Sequence, residues 1–127
     1  MDEPTVDNFD ASQWRASSEY LFGVDLYNAK YFWESHEQWE AIWHATGRTG
    51  AIADFFKGLI KLSAAGVKKL EGNPAGAQRH LQRAVELFQH VGTSFDSIAG
   101  LQTSTLVKIA KQLEASESHV LLQLSME

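Results

Sequence analysis

Lys68-Lys69-Leu70-Glu71-Gly72-Asn73-Pro74-Ala75-Gly76-Ala77 is the stretch that decides the fold. Gly72 closes one helix, Asn73 caps the next, and Pro74 takes a first helical position, where no backbone donor is needed. Upstream, Ile52, Phe55, Phe56, Leu59, Ile60, Ala64 and Val67 follow the i, i+3, i+4, i+7 rule, which predicts a helix from about Ala51 to Glu71. Asp54, Lys57, Lys61 and Lys68 fall on its solvated side. Downstream, Ala77, Leu81, Ala84, Phe88 and Val91 alternate in steps of four and three, a seam for one neighbouring helix from Pro74 to about Val91. So short a connection makes the two an antiparallel hairpin. Gly58 and Gly66 lie inside the first arm, where each costs about 1 kcal/mol against alanine. Close approach of another helix is the expected compensation.

Outward from the hairpin, Ser17 caps a helix running to about Tyr27, with Tyr20, Leu21, Val24 and Tyr27 at helical spacing. Asn28 reads as its stop and as the cap of the next helix, about Ala29 to Ala45, which ends at Gly47. Thr103 to Glu114 predicts a fifth helix burying Leu106, Ile109, Ala110 and Leu113. The fold class is therefore all-α, a small bundle of four to five helices around a central antiparallel hairpin. The helical domain spans residues 17–114, after a flexible acidic leader, residues 1–16, pinned late by Trp14. The tail, residues 115–127, holds the apolar run His119-Val-Leu-Leu-Gln-Leu, suited to docking as a strand-like extension or in a dimer contact. The hairpin also has the look of a tetratricopeptide repeat, but no second copy follows at the roughly 34-residue period.

Composition narrows the function classes. A chain of 127 residues fits one domain, and its 44% hydrophobic and 21% charged residues are globular values. Without cysteine, disulfides, thiolate catalysis and cysteine-rich zinc sites are excluded. The net charge of −5 and the scattered basic residues argue against nucleic acid, whose phosphates need a basic face. No apolar run approaches the ~20 residues that span a bilayer, so no membrane partner is expected. The acidic start, Met1 to Asp10, is no signal peptide, and a cytoplasmic protein is expected.

Chemistry concentrates in Glu34-Ser-His36-Glu37-Gln-Trp39-Glu40-Ala-Ile-Trp43-His44. At about 100° per residue, Phe32, Trp39 and Trp43 share a helical face with His36 between them, and Glu40 lies one turn on from His36. A histidine and a carboxylate flanked by tryptophans would be partly desolvated, which often marks a site. The plain alternative is an i, i+4 pair on the rim of the core, with the tryptophans as packing. His44 suits a helix-end cation. His36-Glu37-x-x-Glu40 approaches the HExxH zinc helix, yet glutamate replaces the second histidine and no third ligand is evident. No metal and no cofactor are expected.

Gly23-Val-Asp-Leu-Tyr-Asn28, Phe32-x-Glu34-x-His36-Glu37-x-Trp39-Glu40-x-x-Trp43, Phe56-Lys-Gly58-Leu-Ile60-Lys-Leu, Gly72-Asn73-x-x-Gly76-Ala77 and Leu81-x-x-Ala84, in that order, resemble the family called domain of unknown function 309. The resemblance covers about Tyr20 to Phe88. It implies a small helical bundle with no established activity, and it places His36, Glu37, Glu40 and Trp43 on signature positions. Lys57 and Lys61 stand where the family usually carries glutamine. The pocket expected from these readings comprises His36, Glu37, Trp39, Glu40, Trp43, Lys57 and Lys61. The preferred function is a binding or interaction module for an unknown small ligand or protein partner, with a homo-oligomer open. The alternative is a small enzyme, metal-assisted hydrolysis included, using His36 with Glu37 or Glu40. The absence of a visible nucleophile or phosphate-cradling loop weighs against the enzyme.

Overall fold

The computed structural model describes residues 4–115 and 119–124. The hairpin forms as its punctuation dictates. Helix α3 spans Ala51–Leu70 and α4 Pro74–Gly92. Between them Gly72 takes φ +72°, and Asn73 Oδ1 accepts the Gly76 N–H at 2.9 Å. Helix α1 is Ser18–Asn28, capped by Ser17, whose Oγ accepts the Tyr20 N–H at 3.1 Å. Helix α2 is Phe32–Ala45 and α5 is Thr103–Ala115. Each helix packs on its sequence neighbour, and α3 lies between α2 and α4. The result is the expected all-α bundle around a central hairpin. Phe55, Phe56, Leu59, Leu81, Ala84 and Phe88 are all buried, as the two stripes require. No helix among the described residues is long and apolar enough to cross a membrane.

The start of α2 differs from the sequence reading. Asn28 is the last residue of α1, and α2 begins at Phe32 with no side-chain cap. The reason lies 94 positions away. Asn28 donates its Nδ2–H to the Leu122 carbonyl at 2.9 Å and accepts the Leu122 N–H at 2.8 Å. That amide is committed to the tail and is not available to cap. The chain turns instead through Lys30 at φ +69°. Leu122 is buried at this clamp, and residues 119–124 dock there as neither helix nor strand.

The segment expected as a leader carries structure of its own. Asp10 accepts from the Ser12 N–H at 2.9 Å and starts a 3₁₀ helix, Ala11–Ala16, which buries Trp14. Trp14 rests against a small hairpin that strand periodicity did not reveal, β1 Ser97–Ile98 and β2 Leu101–Gln102. Its two central residues, Ala99 at φ +51° and Gly100 at φ +80°, have the left-handed pair that favours a two-residue hairpin. The buried Tyr20 hydroxyl donates to the Ala99 carbonyl at 2.7 Å and ties α1 to this turn.

Three of the helical glycines, Gly23, Gly58 and Gly66, are seats for aromatic rings. A Cβ on Gly58 would lie 2.5 Å from the Phe88 ring, one on Gly66 2.4 Å from Phe32, and one on Gly23 2.6 Å from Trp39. Close approach is indeed the compensation, and what approaches is a ring from the facing helix. Gly58→Ala is expected to cost up to about 2 kcal/mol, an overpacking penalty of roughly 1–3 less the roughly 1 kcal/mol that alanine adds to a helix. Phe88→Leu should relieve part of that penalty. Urea denaturation of both single variants and the double variant checks it, and strictly additive losses would mean that the two positions do not touch.

Candidate functional site

Helix α2 is held firmly on its inner side. Phe32, Ser35, Trp39 and Ile42 are buried there. Ser35 Oγ and Ser63 Oγ hydrogen-bond across to α3 at 2.8 Å, and Gln38 Nε2 donates to the Glu19 carbonyl at 2.9 Å. These contacts fix the rotation of the helix and so decide what its outer side presents.

His36 and Glu40 come together on that outer side, with Nδ1 of His36 3.2 Å from Oε1 of Glu40. The distance suits an ion pair, but the alignment does not make a hydrogen bond, and Nδ1 is sealed from solvent. The pair is open to water, the side chains being 22% and 46% exposed. His36 lies parallel to the indole of Trp33, ring centroids 5.8 Å apart, and Trp33 is itself 60% exposed.

The other expected members divide. Trp39 is fully buried, its ring against Tyr20 at 5.9 Å and Phe56 at 6.0 Å, and it belongs to the interior. Its Nε1 has no hydrogen-bond partner among the described residues. Trp43 is half-buried at the end of α2, edge-on to His44 at 5.1 Å. Glu37 is half-buried on α2, and Lys57 and Lys61 are half-buried on α3.

His80 on α4 is the member that sequence reasoning missed. Burial pushes its imidazole below the ordinary pKa, and the charges of Lys61, Lys68, His36 and Arg79 push it further down. Three helices thus contribute basic groups to one surface. The signal was present in the hairpin, because an antiparallel return from Gly72-Asn73-Pro74 brings residue 80 back beside the 61–68 stretch of α3. Among the described residues no three His, Asp or Glu side chains are grouped to hold a metal ion.

Residues 20–80 match the model of the family described as domain of unknown function (DUF309). That segment contains most of α1, all of α2 and α3 and the start of α4, and with them His36, Glu40, Lys61 and His80. No curated protein matches the chain.

Proposed function

Since residues 20–80 carry a domain whose family is named for its unknown function, we propose that the α2–α3–α4 face around His36 is a binding surface for an acidic group, carried by a small ligand or a partner protein. One observation carries the reading. Every charged group that acts on His80 there is basic, and they come from α2, α3 and α4 alike. Glu40 lies within ion-pair distance of His36. A run of like charge concentrates counter-ions, and an anion seated there would relieve the repulsion. Trp33 adds an exposed ring at the edge for stacking.

Titration of the isotope-labelled chain with inorganic phosphate, following the His36 and His80 ring resonances, tests this. An anion stabilises the protonated imidazole, so the His80 pKa should rise when phosphate binds. The His80 contribution to affinity is then fully present below its free pKa and is lost as pH rises through the bound value. Lys61→Gln should weaken binding about fivefold, a loss of about 1 kcal/mol. Ring resonances that ignore phosphate at every pH would defeat the proposal.

A second reading has its own support. A carboxylate beside Nδ1 orients an imidazole and leaves Nε2 for proton transfer, the arrangement of an acid–base histidine. Glu40→Gln separates the two. The varied member, Glu40, is 46% exposed, so the change should move stability by less than about 1 kcal/mol in urea denaturation. For a binding surface, Glu40→Gln should hold or raise phosphate affinity, since it removes a negative charge. For acid–base chemistry, the same variant should lose turnover while phosphate affinity stays untouched.

A further inference from the structure

Residues 119–124 are held to the end of α1 at two points. One is the clamp of Asn28 on the Leu122 backbone. The other is the His119 ring, half-buried against Tyr27 of α1 and Phe32 of α2, with centroids 5.1 and 5.5 Å away. Both rings beneath it belong to the core. The clamp carries no ionisable group, whereas the second point does.

The two nitrogens of His119 are placed unequally. Backbone hydrogen bonding to Asn28 and Tyr27 engages the ring, while Nε2 is sealed from solvent with no partner among the described residues. The proton of the neutral ring therefore belongs on Nδ1, and Nε2 keeps its lone pair. A second proton would place a charged N–H at Nε2 with nothing to accept it, which costs far more than an idle lone pair. The surroundings offer that charge no relief. Lys30 in the α1–α2 turn and Lys69 on α3 both repel it. Lys108 of α5 lines one hollow beside the ring, and no acidic residue lines that hollow or the other, which Tyr27 and Phe32 share. Tyr27 itself is a phenol that burial keeps neutral. Burial first, and then Lys30, hold the imidazole below its ordinary pKa, and the backbone hydrogen bonds offset them only in part.

We infer that residues 119–124 are a pH-sensitive strap, closed while His119 is neutral and released when its ring takes a second proton. Release uncovers Tyr27 and Phe32 and opens the apolar wall of Leu62, Ala65 and Leu113 that lies with them. Linkage fixes the direction, because the docked ring binds its proton less readily than the free one. Docking is at full strength above the free value of 6.5 and weakens as pH falls from there through the lower docked value. A lowering of about half a pKa unit corresponds to about threefold in the docking equilibrium.

Hydrogen exchange at the Leu122 amide, which donates to Asn28, reads that equilibrium in the full chain. From about pH 7.5 to about pH 5.5 its protection factor should fall at least about threefold, while that of the fully buried Leu59 in α3 holds. His119→Phe keeps a ring on Tyr27 and Phe32 but takes no proton, so its Leu122 protection should stay level over the same range. Level protection in the unsubstituted chain would overturn the strap. So would an equal fall in His119→Phe, or an equal fall at Leu59. A direct titration decides the matter should His119→Phe fail to dock. The His119 ring resonance should titrate at lower pH in the native chain than in the same chain in urea, and equal values would sink the proposal. None of these outcomes bears on phosphate at His36, so the two readings stand or fall separately.

Discussion

Phe56→Ala is expected to lower the unfolding free energy by about 3–5 kcal/mol, the range for deleting a buried phenylalanine. Phe56 is fully buried and is the ring on which the first half of the chain converges. Phe9 meets it edge-on at 5.0 Å and Tyr20 edge-on at 5.9 Å, while Trp39 lies at 6.0 Å and Phe55 at 5.1 Å. Edge-to-face pairs contribute about 0.5–1.5 kcal/mol each beyond the area they bury, so the loss should fall in the upper part of the range. Phe56→Leu keeps much of the volume and gives up the rings' mutual geometry, and should cost less than half as much. Equilibrium urea unfolding followed by tryptophan fluorescence measures both. A loss below about 1 kcal/mol for Phe56→Ala would show that the cluster collapses onto the vacancy, and the packing account would fail.

Gly100→Ala is expected to cost about 2–5 kcal/mol through two separable effects. At φ +80° an L-residue is strained by about 1–2 kcal/mol. A Cβ there would also lie 2.7 Å from the Trp14 ring, and overpacking of that kind costs about 1–3 kcal/mol. Gly47 supplies the control. Its φ is +83°, and a Cβ would meet nothing within 4 Å. Gly47→Ala should therefore report the backbone strain alone, about 1–2 kcal/mol. The difference between the two variants isolates the Trp14 contact, and a red shift in the Trp14 emission of Gly100→Ala should accompany it. Equal losses at both positions would mean that Trp14 yields without cost.

What was legible in the sequence was what acts locally. Ser17, Asn73 and Pro74 could be assigned their capping roles because a cap meets its partner within three residues. The stripes on α3 and α4 could be read because one period generates each of them. Long-range commitments were not legible. Asn28 has the side chain of a good cap, and only the tertiary fold gives that amide to Leu122. Gly58 and Gly66 announced close packing without naming Phe88 and Phe32 as the guests. In the candidate site, helical angles put His36 next to Glu40 correctly. The same angles could not say that Trp39 is fully buried, because the width of the buried arc depends on how deeply α1 and α3 embrace α2. His80 escaped because a lone histidine in a helix carries no period, and its meaning comes entirely from the lysines opposite.

The clamp between Asn28 and Leu122 has a kinetic side. Sequence-distant contacts are slow to find, since the intervening chain must be closed first. A protein is also made from its N-terminus at roughly 5–20 residues per second. Helices α1 to α4 are thus synthesised, and free to collapse, before Leu122 exists. Docking of that stretch is a closing step that a nearly finished fold receives, and a refolding experiment should see it as a late, separate phase that Asn28→Ala abolishes without slowing the main one.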